Sequence, residues 1–261
     1  MTDPTAIPIN MFDNDRELIV VAPMPGIGPE EISIDVTDDG SLLYDVVGDF
    51  ELHEMTADGD DRTIWNCADH FGTNFECYSN TVNWNSLDDT VLLSFPYENT
   101  VIELDRASGD VVGQYGDATG SYAFEPSTWG FEFQHFANIT KDGTLMVSSH
   151  MPGNDDTEDP TEYEHAFMEF DIDRENETLV ERWIYNDGPE WPMYKGMAIK
   201  LPNDNVLANY GTGGVIREIT PEKETAFHVK FDVDEGDDFF NKMVGHNVLI
   251  DDLYALNGGP D

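Results

Sequence analysis

Histidines are the side chains in this sequence best suited to chemistry, and of the seven present His135 has the most informative surroundings. It stands in Phe133-Gln134-His135-Phe136-Ala137, a stretch whose alternation reads as a strand between turn signals. A polar residue facing inward on such a strand suits a site at the mouth of a channel; the plainer role is a hydrogen-bonded histidine in a polar channel wall. His150 and His165 fall toward the outer end of the same unit, where single histidines are ordinarily surface residues. No His-x-x-x-His or His-Glu-x-x-His spacing occurs, so zinc chemistry is not indicated. Nucleophile-elbow, Walker and dinucleotide-binding patterns are equally absent from the sequence. The loop Asn154 to Asp159 is rich in oxygen ligands but lacks the spacing and glycine of a calcium loop, and reads as solvated. Trp129, Trp183, Trp191 and Tyr194 are aromatic groups that either stack on a ring-shaped ligand or pack between strands.

These residues sit in a chain of 261 with 54 acidic and only 12 basic side chains, a net charge of -42. Hydrophobic residues make up 39% and aromatics 11%, too much core-forming material for a disordered acidic chain. The charge is spread along the whole length, as in proteins adapted to brine, where salt screens the self-repulsion. Nucleic acid and membrane surfaces, both bound through clusters of Lys and Arg, are excluded as natural partners. No apolar run is long enough to span a bilayer, and Met1 to Asn10 shows neither a basic nor an apolar signal region. A cytoplasmic location is the simplest expectation, with export if the chain is trimmed. Cys67 and Cys77 leave two states open, one loop-closing disulfide or two thiols. Oligomeric state is not legible.

The elements that position the histidines come from an internal repeat. Turns at Gly40, Asp89, Gly143 and Asp204, roughly 50 to 60 residues apart, each introduce a short apolar strand, a second alternating strand, another turn and a third strand. A further strand precedes three of these turns, at Asn80 to Asn85, Phe133 to Ile139 and Gly196 to Leu201. Helical periodicity is nearly absent. A unit of four strands cannot cover both its faces alone, and stacking such units side by side gives an all-β propeller of four-stranded blades. About five blades are expected, the ring incomplete or closed by the segment Asn247 to Leu256. A two-sheet sandwich is the rival, although sandwich strands do not repeat one four-strand unit.

From about Glu51 onward the chain resembles the arylsulfotransferase family, whose catalytic domain is a β-propeller. The resemblance is carried by Tyr78-Ser79-Asn80-Thr81-Val82, by Asp88 to Gly116 with Ile102-Glu103-Leu104-Asp105-Arg106, by Phe133-Gln134-His135, and by Leu201-Pro202-Asn203 with Gly211 to Thr220. It implies sulfuryl transfer from a phenolic sulfate ester to a phenol through a sulfohistidine on His135. The resemblance makes Asn80 and Tyr78 substrate-binding residues and a small aromatic molecule the partner, with no cofactor and no metal. Two positions depart from the family pattern: Tyr78 replaces a histidine, and Phe95 or Pro96 stands where an arginine is found. Loss of cationic stabilisation for the sulfuryl oxygens leaves a non-catalytic propeller, acting as a binding or scaffold module, as the alternative.

The front of the chain, from Ile7-Pro8-Ile9 through Pro25-Gly26 and Glu30-Glu31-Ile32 to Gly40-Ser41-Leu42, resembles the opening strands of the α-crystallin domain of small heat-shock proteins. Its later strands are not recognisable, so residues 1–37 read as N-terminal edge strands or a first blade, and 38–261 as the propeller.

Overall fold

A computed structural model of the chain describes residues 10–13, 18–21, 32–46, 51–127, 130–151, 165–186, 192, 194–231 and 244–245. Nearly all the regular structure is β. Strands β1 (Asn10–Asp13) and β2 (Leu18–Val21) pair as a separate two-stranded sheet. Four antiparallel meanders follow. The first comprises β3 (Ile32–Val36), β4 (Leu42–Val46), β5 (Glu51–Met55) and β6 (Asp61–Asn66). After the short helix α1 (Cys67–Phe71), the second comprises β7 (Thr81–Asn85), β8 (Thr90–Phe95), β9 (Thr100–Asp105) and β10 (Val111–Gly116). The third adds a parallel edge strand, β11 (Ala123–Glu125), to β12 (Glu132–Ile139), β13 (Leu145–His150), β14 (His165–Asp173) and β15 (Thr178–Tyr185). The fourth is β16 (Gly196–Lys200), β17 (Val206–Tyr210), β18 (Val215–Ile219) and β19 (Thr225–Lys230).

The first strand of each sheet lies against the first strand of the next, β3 on β7, β7 on β12 and β12 on β16, so the sheets are successive propeller blades. Among the described residues there are four such blades where the sequence suggested about five. The segment Asn247 to Leu256 lies outside the described residues, as do Asn154 to Asp159, Trp129 and Trp191. Blade 1 draws β3 from the stretch that resembles a small heat-shock strand, ahead of position 38.

Turn chemistry explains the repeat. The turn between first and second strands needs one left-handed residue, and Gly40 (φ +79°) and Gly143 (φ +75°) supply it in blades 1 and 3. Asp89 (φ 53°) and Asp204 (φ 67°) do so in blades 2 and 4, because a short acidic side chain tolerates that region better than most. Alternation along the strands then sends opposite faces to opposite neighbours. In β13, Leu145 and Val147 pack toward blade 2 with Leu92, Val101 and Tyr115, while Met146 packs toward blade 4 with Ala198, Val206 and Tyr210. A third cluster, with Leu52, Trp65, Val91 and Leu93, fills the junction of blades 1 and 2. Each such fully buried side chain contributes roughly 1.5–3 kcal/mol.

One carboxylate recurs in the third strand of every blade: Glu54, Glu103, Glu169 and Glu218. The first three are buried and each meets a cation from the following blade. Arg106 Nε donates to Glu54 at 2.9 Å, Arg174 Nη2 to Glu103 at 2.9 Å, and Lys200 Nζ to Glu169 at 2.7 Å. Glu218, half-buried in blade 4, accepts instead from Asn203 and Asn205 of its own blade. Cys67 and Cys77 are joined as a disulfide that ties α1 to the approach to β7.

Candidate functional site

Ionic groups gather where first strands turn into second and third into fourth; His135, His150 and His165 lie at the other end. His135 lies on β12, the first strand of blade 3, where the strand departs twice from regular pairing: the register shifts between Glu132 and His135 and again between His135 and Asn138. The flanking residues Phe133 (φ 44°) and Phe136 (φ 49°) take left-handed conformations that large side chains avoid. Blade 2 supplies bonds in place of the disrupted ladder. Phe133 N donates to Asn99 Oδ1 (2.9 Å) and Phe136 N to Thr81 Oγ1 (3.1 Å). Between them Gln134, fully buried, donates from Nε2 to Ser94 Oγ and to the carbonyls of Phe95 and Thr100, at 3.0 to 3.2 Å. The result is a strand pinned to its neighbour on both sides of His135.

The buried His135 has its Nδ1 2.8 Å from Asn80 Nδ2, and that same Nδ2 donates to the Gln134 carbonyl at 2.8 Å. The structure thus brings Asn80 and His135 together across blades 2 and 3. Tyr78 is two rings away: its ring lies 5.6 Å from that of Tyr97, which lies 5.3 Å from Phe133, whose centroid is 5.4 Å from the His135 imidazole. Tyr194 of blade 4 approaches Phe133 from the other side at 6.5 Å. Tyr97 and Tyr194 are exposed, so this belt of rings faces solvent.

Two further histidines join the cluster, a correction to their expected place on the outer surface. β13 and β14 are the second and third strands, and their register sets His150 opposite His165 at the end nearest His135. Ring centroids are 6.3 Å apart for His135 and His150 and 6.1 Å for His150 and His165. His150 Nε2 lies 3.1 Å from the Pro192 carbonyl, and burial pulls its pKa below the usual imidazole value. His165 Nε2 is 3.0 Å from Ser148 Oγ; desolvation, with smaller contributions from His150 and His135, puts it well below the usual value. Burial thus favours the neutral form of both imidazoles. Strand counting alone missed these two because it located them on the blade without saying at which end each strand finishes. Gln134, Asn99 and Thr81 were missed as well; of these only Asn99, left-handed after Pro96-Tyr97-Glu98, carries a local turn signal.

The position where the resemblance called for an arginine is apolar: Phe95 is buried with Trp65, Phe71 and Phe75, and Pro96 opens a 3-10 turn. Among the described residues, Arg62, Arg106, Lys141, Arg174, Arg182 and Lys200 are in ion pairs with carboxylates. Arg217 lies over the Tyr210 ring, 5.4 Å from its centroid. No group of three or more His, Cys, Asp or Glu among the described residues is arranged to hold a metal ion, and no described helix is long and apolar enough to cross a membrane.

No protein-family model matches the chain, and no curated protein matches it. Solved structures share its architecture. A candidate 6-phosphogluconolactonase from Bacteroides uniformis is 15% identical, with a TM-score of 0.51 over 85% of this chain and 70% of that one. A streptogramin B lyase is 12% identical (TM-score 0.47) over 86% of this chain, which spans 59% of the lyase. A virginiamycin B lyase from Staphylococcus aureus, with quinupristin, is 12% identical (TM-score 0.47) over 90% of this chain and 73% of that one. The neighbours are β-propeller proteins, and likeness at this identity shows the fold alone. Neither resemblance seen in the sequence, to arylsulfotransferases or to small heat-shock proteins, receives a family match.

Proposed function

We propose that the protein binds a small aromatic molecule at the histidine-rich end of blades 2 to 4, with His135 in contact with the ligand. The observation that supports this reading is the run of rings from Tyr78 through Tyr97 and Phe133 to Tyr194, two of them exposed, with Phe133 against the imidazoles of His135 and His150. The exposed Tyr97 and Tyr194 offer stacking area on either side of Phe133 that a ring-shaped ligand completes. Binding rather than group transfer is favoured by the apolar surroundings of Phe95, where the resemblance called for a cation.

The second reading is sulfuryl transfer through His135. It is supported by the residues that carry the resemblance, with Asn80 and His135 adjacent as substrate-binding and nucleophilic residues would be. One experiment separates the two. Phenol and 4-nitrophenyl sulfate are titrated at molar salt, and release of 4-nitrophenol is followed in the presence of phenol. Saturable binding that Phe133→Ala weakens about tenfold, without turnover, is the expected result and removes the sulfuryl reading. Turnover that His135→Ala abolishes establishes transfer instead, and absence of binding overturns both.

A further inference from the structure

We infer that Asn80 is a positioning residue that fixes His135 as the tautomer protonated on Nε2, so neither ring nitrogen presents a lone pair for nucleophilic attack. The argument starts from two main-chain groups whose roles cannot change. The Phe136 N–H can only donate, and it donates to Thr81 Oγ1 at 3.1 Å. Thr81 Oγ1 in turn donates to Asn80 Oδ1 at 3.2 Å, in keeping with the amide orientation that the Gln134 carbonyl sets. The Gln134 carbonyl can only accept, and its partner 2.8 Å away is Asn80 Nδ2. Both ends of the Asn80 amide are thereby assigned, oxygen toward Thr81 and nitrogen toward Gln134. The second proton of Nδ2 points at His135 Nδ1, 2.8 Å away. A donor facing Nδ1 requires a lone pair there, which leaves the proton of the neutral ring on Nε2. Turning the amide over would set its oxygen against the Gln134 carbonyl and lose that bond.

The consequence is chemical. A nucleophilic imidazole attacks through an unprotonated nitrogen; here the unprotonated one is Nδ1, occupied by Asn80, while Nε2 carries hydrogen. This assignment goes beyond the binding reading above, since it rests on hydrogen bonds within the protein.

The test is a long-range proton–nitrogen NMR correlation on uniformly nitrogen-15-labelled full-length protein at molar salt and alkaline pH, with the His135 signals identified by their loss in His135→Gln. A lone-pair shift at Nδ1 and a protonated shift at Nε2 are expected without any ligand; a protonated Nδ1 overturns the inference. Asn80→Asp, whose carboxylate only accepts, is expected to move the proton to Nδ1. Thr81→Ala leaves Asn80 in place but removes the hydroxyl that orients it, and should mix the two tautomers. Mass spectrometry after incubation with 4-nitrophenyl sulfate is expected to show no sulfonate adduct on wild-type His135, and an adduct overturns the consequence. Phenol titration of the same sample keeps the two claims apart. Failure to bind removes the site while the tautomer stands, whereas binding with Nδ1 protonated removes the tautomer alone.

Discussion

At Phe133 the main chain holds a φ of 44°, a conformation that costs on the order of 1–3 kcal/mol for a large side chain and persists only where surrounding bonds impose it. Replacing the ring by Ala or by Gly removes the same contacts but differs in the backbone. Phe133→Gly should therefore be more stable than Phe133→Ala by about 1 kcal/mol, read as a higher melting temperature. Equal stabilities would mean that the strand relaxes once the ring is gone. His165 carries a second prediction. Its pKa in the fold is depressed by burial first and by His150 and His135 next, so the unfolded chain binds the proton more tightly. Its contribution is present above the ordinary imidazole pKa of about 6.5 and declines as pH falls below it, by up to about 1.4 kcal/mol per pH unit for one proton. Ser148, Phe167, Tyr210 and His150 surround it and supply no carboxylate to offset protonation. Stability measured from pH 7.5 to 5 should therefore fall in the wild type and flatten in His165→Gln. A wild type with no acid slope contradicts this account. The sequence made His135 legible through its strand context, but the left-handed turns on either side have no local signature, since Phe is among the residues least suited to them.

The blades were legible as elements because the turn residues repeat: Asp or Gly at one left-handed position, then a strand of alternating apolar residues. The inner strand of blade 1 was not, because Ile34 and Val36 are exposed and their stretch reads equally as a free edge. β11 was also invisible: three residues joining blade 3 in parallel give no period to detect. What binds the elements together is testable at the blade junctions. Arg174→Ala strands the fully buried Glu103, which among the described residues keeps Thr90 and Tyr115 as partners, and should cost about 3–5 kcal/mol. Restoring balance with Glu103→Gln in the same chain should recover much of that loss in denaturant titration; an Arg174→Ala variant as stable as wild type means that the pair is not a junction element. The Cys67 to Cys77 bridge, ten residues apart in sequence, closes a short loop on α1. Reducing it should lower stability by roughly 2–3 kcal/mol without dissolving the blades. An unchanged melting temperature under reductant is the contrary outcome.

For the molecule as a whole, the net charge of -42 was readable from composition, and the structure adds where the few cations stand. Six of them are bound in carboxylate pairs, several at blade junctions, which leaves most acidic groups to repel one another across solvent. Circular dichroism during dialysis from molar to millimolar salt should show loss of β structure, since the screening length grows from about 3 Å at 1 M to about 30 Å at 0.01 M. A spectrum and melting temperature indifferent to salt would remove the case for brine adaptation. The pairing of each buried glutamate with a cation from the blade after it also gives the molecule a direction. Blades 1, 2 and 3 are each latched by a successor, while Glu218 in blade 4 is held by asparagines of its own sheet and β19 is exposed along nearly its whole length. Such a structure behaves as a line of coupled neighbours and opens in sequence rather than at once. Amide exchange should therefore begin at β19 and β18, with blades 2 and 3, each enclosed between two junctions, the last to exchange.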